Sequence, residues 1–371
     1  MADINSSNDL VAQMNAEFRN AVLPVTIFVG IEVLLAFFGN LAVIYVFSRL
    51  YHDCTYRYFV LCLATVDFIS SLTTMPGEMV TQLYWYKYPI PEVCKAKSFF
   101  NVFTVTGEAL CLMAIAADRF LKVCRPLGRQ IPLKCAKYTC GVIYLCACIC
   151  AIPVAIYWGI HSHPQFYATK NTTIIVTVCE KDAKYEKTNH PFQYSVSLDV
   201  ILSISLAFML VLYCLIARKF VLSRRHGRTY DATPNRDSNV DNDIEIEVRG
   251  GVEKPSPTKD TQKTDTTRAN TVRPFGVDGK VVRKTWIMFI LTVAFIITTI
   301  LYLSLLSVIA NPNDILQSFK DGEKAVYFFF FRLYFVNHVI NPFVYGILDS
   351  EFRKHLTDIK HSLFHLMKIS T

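Results

Sequence analysis

Apolar residues in this chain fall in long blocks separated by polar stretches. Seven blocks stand out, near Val22–Ser48, Tyr56–Tyr84, Cys94–Val123, Lys137–Trp158, Phe192–Ser223, Lys280–Ile309 and Glu323–Ile347. A helix of about 20 residues crosses the hydrocarbon core of a bilayer. Helices suit that solvent because they satisfy their own backbone hydrogen bonds. The pattern predicts an all-α membrane protein, with a seven-transmembrane-helix bundle over residues 22–347. A shorter stretch, Asp349–Lys360, sets Phe352 and Leu356 against Arg353, Lys354 and Lys360. It predicts a C-terminal surface helix, with the tail 348–371 cytoplasmic.

The polar segments orient the bundle. Arg49 and Arg57 follow the first span; Lys122, Arg125, Arg129, Lys134 and Lys137 follow the third. Arg218, Lys219, Arg224, Arg225, Lys280, Arg283 and Lys284 flank the loop after the fifth. Basic loops stay inside, so residues 1–21 are expected as an extracellular tail. Those first residues lack an apolar leader core, so the first span is expected to act as its own insertion signal. The sequons at Asn5 and Asn171 then both lie outside, where glycosylation occurs. Residues 226–279 are polar and nearly free of aromatics, which predicts a disordered third cytoplasmic loop. Ser256-Pro257-Thr258 and the run Thr261–Thr271 there could accept phosphate, although a solvated linker is the plainer reading.

Composition agrees with a membrane protein. Hydrophobic residues make up 52% of the chain and charged residues 18%, against about 25% charged in soluble domains. The net charge of +8 comes from basic residues at the ends of apolar blocks, so it speaks for membrane orientation and lipid contact, not for nucleic acid. Of the twelve cysteines, only Cys94 and Cys179 fall on the expected oxidising side. A disulfide between them would pin the second outer loop over the mouth of the bundle. No internal repeat marks a transporter, and no nucleophile–base pair or metal-ligand spacing marks an enzyme.

A set of polar, proline and aromatic residues punctuates the blocks. They are Gly39-Asn40, Leu63-Ala64-Thr65-Val66-Asp67, Asp118-Arg119-Phe120 with Pro126 and Leu127, Tyr213, Phe295 and Asn341-Pro342-Phe343-Val344-Tyr345. Cys94 lies twenty-five residues before Arg119. Taken in order, these resemble the rhodopsin-like (class A) G-protein-coupled receptors along nearly the whole membrane core. Asp118-Arg119-Phe120 resembles that family's Asp-Arg-Tyr, with Phe for Tyr. Asn341–Tyr345 resembles its Asn-Pro-x-x-Tyr. The resemblance implies a plasma-membrane receptor that binds an extracellular ligand and activates a heterotrimeric G protein. Arrestin and kinases are further implied partners.

It also implies roles. Arg119, held by Asp118 at rest, would meet the G protein when released; Leu127 would insert as an apolar anchor. Tyr213 and Tyr345 would meet near Arg119 in the active state. Asp67 would sit mid-membrane, where a carboxylate costs roughly 2.5–3.5 kcal/mol on insertion scales and needs partners. Asn40, Asn337 and Asn341 are the candidates, with a sodium ion as the only bound cofactor.

The chain departs from the family in several places: Ile143 or Tyr144 stands where the fourth span's tryptophan is usual, and Ser205 where the fifth span's proline is usual. Thr298–Leu301 stands where Cys-Trp-x-Pro is usual, so the sixth span is expected to be straighter and to lack its aromatic switch. Glu108 lies deep in the third span by its spacing from Arg119, where the family usually has Ser beside its aspartate, so the resemblance implies that it faces Asp67. Two carboxylates so close cannot both ionise cheaply, so one holds a proton or a cation lies between them. His338 is a further polar neighbour, expected as structural. Glu32 and Arg332 are charges in adjacent spans and are expected to pair.

Asn101 holds the position of the amine receptors' aspartate, and the seventh span lacks the opsins' lysine. Ile174–Cys179 reads as a hairpin strand, as in peptide receptors. Glu78, Asn101, Val105, Tyr302, Tyr327, Phe331 and Tyr334 are expected to line the pocket, suiting a peptide with a cationic or amidated end. The alternative is an atypical or binding-only receptor with weak coupling.

Overall fold

The computed structural model describes residues 2–231, 279–309 and 319–369. The phosphate acceptors expected between Ser256 and Thr271 lie outside these residues, as does most of the expected inner loop. The first span is α1 (Ala2–Arg49). The second is α2 (Thr55–Leu72) and α3 (Thr74–Leu83), broken at Thr73. The third, fourth, fifth and sixth are α4 (Pro91–Cys124), α5 (Leu133–Tyr157), α6 (His190–Asp231) and α7 (Gly279–Ile309). The seventh is α8 (Asp321–Arg332) and α9 (Val336–Leu348), joined by a tight turn at Leu333–Phe335. Helix α10 (Ser350–Ile369) follows. Among the described residues six helices are long and apolar enough to cross a membrane by themselves. The seventh span falls outside that count because its pieces, α8 and α9, are only 12 and 13 residues long.

Burial is inverted relative to a soluble domain. Leu34, Phe38, Ile204 and Ile297 are each more than half exposed, while Asn40 and Asp67 are fully buried. Apolar side chains face the lipid position and polar ones converge inside, because only the interior offers hydrogen-bond partners. The first and seventh spans approach closely at one point. A Cβ on Gly39 would lie 2.8 Å from the ring of Pro342, so the small residue admits the proline.

Residues 2–21 are helical, not a separate tail. Val11, Met14, Phe18, Val22 and Val25 form a buried stripe at three- and four-residue spacing, which is the helical period. Phe18 stacks on Trp85 at 5.0 Å and meets Phe328 edge-on at 5.3 Å. Asn15 donates to the Leu83 carbonyl (2.9 Å) and accepts from the Tyr86 amide (3.0 Å). Helix α6 likewise runs through 226–231, residues expected to belong to the loop.

Strands β1 (Trp158–Tyr167) and β2 (Thr172–Lys181) form the expected antiparallel hairpin. Asn171 sits exposed at its turn with φ of 49°, a left-handed conformation that Asn tolerates well. The Cys94–Cys179 disulfide ties β2 to the third span, as expected. Tyr167 at the end of β1 donates to Glu17 Oε1 (2.7 Å), joining the hairpin to α1.

Replacing Gly39 with valine should force the first and seventh spans apart. We expect a loss of about 1–3 kcal/mol, read as a lower thermal midpoint of the purified protein, with Gly39→Ala showing a smaller loss.

Candidate functional site

Midway through the bundle the second, third and seventh spans bring Asp67, Glu108 and His338 together, all buried. One ligating atom from each lies within 4.8 Å of the others. Asp67 and Glu108 therefore do face the same point. His338 Nδ1 lies 2.8 Å from Asp67 Oδ1 and 3.6 Å from Glu108 Oε2. Asn341 Nδ2 donates to Asp67 Oδ2. His338 is thus the neighbour of both carboxylates, where the sequence led to the expectation of a shared proton or a cation. Pro342 in the next turn ends no contact here; it packs on Gly39.

Two expected members of this centre are engaged elsewhere. Asn337 donates to Thr298 Oγ1 on the sixth span at 2.8 Å. Asn40 donates to the carbonyls of Ala36 (2.9 Å) and His338 (2.8 Å). Its own Oδ1 is buried without a hydrogen-bond partner. Asn40 therefore positions the backbone that carries His338 instead of touching Asp67.

Toward the hairpin end, the break at Thr73 lets α3 bring Glu78 against the seventh span. Arg332 contacts Glu78 Oε2 at 2.7 Å and Lys97 contacts Oε1 at 3.1 Å. Lys97 reaches across Gly77, where a Cβ would collide with it at 2.6 Å. The expected Glu32–Arg332 pair does not form. Glu32 is buried and neither of its carboxylate oxygens has a hydrogen-bond partner. Glu78, expected as a free wall of the pocket, is instead neutralised twice.

The other expected pocket residues do gather. Tyr302 stacks on Phe331 at 5.0 Å and meets Tyr334 at 4.7 Å. Tyr327 stacks on Phe331 at 6.0 Å and donates to the Leu305 carbonyl at 2.6 Å. Tyr334 donates to Asn101 Oδ1 at 3.3 Å. Val105 packs against the cluster that holds Tyr334 and Phe335. Arg332 lies over the Phe331 ring at 4.6 Å, so the ion pair and the aromatic array are one unit.

At the opposite end, Asp118 grips Arg119 directly and Lys122 at 3.0 Å, and accepts from Thr55 at 3.2 Å. Arg119 is buried and lies over the Tyr56 ring at 5.7 Å; Lys284 of the sixth span lies over the same ring at 4.7 Å. Tyr213 accepts from Thr292 at 3.2 Å, while the buried Tyr345 hydroxyl has no hydrogen-bond partner. The two tyrosines are apart here. Leu127 is 97% exposed.

Sequence reasoning missed Asp349, which is buried and ties this end together. It accepts from Tyr51 (3.1 Å) and Tyr56 (3.2 Å) and caps α10 through the Glu351 and Phe352 amides. An Asp before a predicted helix was the available signal. Burial would raise the neighbouring Glu351 carboxyl, but the hydrogen bond and charge of His52, with Lys284 and Tyr51, together outweigh it and set the group below the usual carboxylate range.

Residues 39–345 match the model of the seven-transmembrane receptor family, rhodopsin type. A 149-residue stretch is 29% identical to the neuromedin U receptor homolog of Caenorhabditis elegans, covering 38% of this chain and 37% of that one. A 207-residue stretch is 24% identical to the human 5-hydroxytryptamine receptor 2C, covering 54% of this chain and 42% of that one. These matches span less than half of either relative's length.

Removing one partner of a buried ion pair costs about 3–5 kcal/mol. Arg332→Met should therefore destabilise the purified protein strongly, whereas Glu32→Gln should change its thermal midpoint little. Equal losses in the two variants would contradict the pairing.

Proposed function

Since this chain belongs to the rhodopsin family of seven-transmembrane receptors, we propose that it binds a peptide ligand at the hairpin end and activates a heterotrimeric G protein at the Arg119 end. It is a multi-pass plasma-membrane receptor; in this reading its N-terminus and hairpin are extracellular and α10 is cytoplasmic. The observation that carries the proposal is the buried Asp118–Arg119 pair beside exposed Leu127, at the end opposite a hairpin-roofed aromatic array. Arg119 is held ready but covered, while Leu127 is already presented to a partner. Release of Arg119 from Asp118 would offer a planar set of donors to a G-protein C-terminus.

A peptide ligand is favoured over an amine. Asn101 carries no charge, and Glu78 already faces two cations, so neither offers an ammonium group an unpaired carboxylate. The hairpin and aromatic walls suit a larger ligand. The resemblance to a neuromedin U receptor homolog supports the same choice. Asn5 and Asn171 would carry glycans on that side, and arrestin and kinases would act on the other.

Transmission has a route in these residues. Tyr302 follows Thr298 by one helical turn and stacks on the seventh span. A ligand that displaces Tyr302 would pull on the Thr298–Asn337 bond. Asn337 in turn precedes His338 and Asn341, which hold Asp67. In this chain a polar bond between the sixth and seventh spans stands in for the missing tryptophan and proline.

The two carboxylates and Asn341 fit a sodium ion by donor chemistry, since Asp67 and Glu108 supply hard oxygen ligands. His338 sits at the same point, so an imidazolium and a sodium ion would compete for it. Sodium chloride, against choline chloride as control, should raise the thermal midpoint more at pH 8 than at pH 6. Glu108→Ser should weaken the response; an unchanged response would remove Glu108 from the site.

A screen of secreted peptides with calcium and cyclic-nucleotide readouts tests the main reading. Arg119→Gln should abolish signalling and leave peptide binding intact. Thr298→Val should raise basal signalling several-fold. A peptide that binds tightly yet triggers neither readout would favour the binding-only alternative, for which the uninterrupted sixth helix is the argument.

A further inference from the structure

We propose that the hairpin carries a metal site for a divalent transition-metal ion, zinc foremost, built from His161, His163 and Glu180. The site lies far from the centre around Asp67. Side chains alternate along a strand, so His161 and His163 share one face of β1. Glu180 stands opposite Gly159 in the ladder, which places it on that same face, diagonal to His161.

The ligating atoms are already close. His161 Nδ1 lies 2.8 Å from Glu180 Oε1, and His163 Nδ1 lies 3.4 Å from the same oxygen. One atom from each of the three residues lies within 4.8 Å of the others. Tetrahedral zinc with bonds of about 2.1 Å has ligand–ligand edges of roughly 3.4 Å. The cluster therefore needs only small side-chain rotations to enclose an ion. A water would take the fourth place, while Glu186, with Oε2 3.8 Å from His161 Nε2, stands on the far side of the ring, where it can accept from the imidazole.

A second observation points the same way. His163 Nδ1 is buried and has no hydrogen-bond partner. The other ring nitrogen, Nε2, lies 3.2 Å from Gln165 Oε1. An Nε2–H donated to Gln165 leaves the Nδ1 lone pair aimed at Glu180. Fixing the tautomer through the far nitrogen is how metal-binding histidines are prepared. Two imidazoles with one carboxylate form a donor set that favours zinc over calcium or magnesium.

The position gives the ion an effect. Glu180 directly follows Cys179, which is tethered to the third span. A bound ion would cross-link β1 to that tethered strand and stiffen the roof over the aromatic array.

The test uses the purified full-length receptor and zinc chloride alone. Zinc affinity is measured by competition with a chelating dye, and the thermal midpoint with and without zinc. Wild type should bind zinc and gain midpoint. His161→Ala, His163→Ala and Glu180→Gln should each weaken binding more than tenfold and lose the gain, with zinc-free midpoints near wild type. If a histidine variant lowers the zinc-free midpoint, Glu180→Gln decides. No zinc binding by wild type, or undiminished affinity in all three variants, would overturn the proposal. Zinc retained through cysteines or the Asp67 cluster would show as that second outcome.

Discussion

An ionisable side chain inside a bilayer has nowhere to find solvent, so it must find another side chain. That constraint arranges this molecule. Asp67 is answered by His338 and Asn341, Glu78 by Arg332 and Lys97, and Asp118 by Arg119 and Lys122. Each of these sets joins elements that are distant in sequence or sits where spans meet. The polar contacts therefore choose which faces of the spans turn inward, since apolar faces are as content with lipid as with one another. Glu32 is an exception, a buried carboxylate without a hydrogen-bond partner.

Much of this was legible in the sequence because it depends on length and period. Blocks of apolar residues gave the spans, and β-branched alternation gave the hairpin strand. The location of two cysteines on the oxidising side gave the disulfide. The depth of Glu108 relative to Arg119, together with the family resemblance, placed it against Asp67. The aromatic residues of the sixth and seventh spans were found together for the same reason: helical spacing fixes both face and depth.

The failures have a common physical cause. The partner of Arg332 depends on a break at Thr73 that redirects α3; Pro76-Gly77, within the next turn, was the signal for that break and went unread. His338 and Asn337 are neighbours on one helix, yet a rotation of about 100° per residue sends one to Asp67 and the other to Thr298. Residue type alone does not distinguish them. His161, His163 and Glu180 are separated by a hairpin turn, and only the register brings them together. The N-terminal helix was a different kind of miss. Its stripe from Val11 to Val25 was visible, but the polar residues between suggested a tail.

That helix and the hairpin meet. Phe18, Tyr86, Tyr167, Ile174, Val176 and Phe328 belong to a single buried cluster, with the half-buried Trp85 packed against it, and Tyr167 is bonded to Glu17. The bundle is thus covered above its first, second and seventh spans by a continuous aromatic lid. A molecule leaving from beneath it on that side would have to part ring stacks and the Tyr167–Glu17 bond. Residence time then becomes a property of the lid as much as of the pocket, and two ligands of equal affinity can differ in how long they stay.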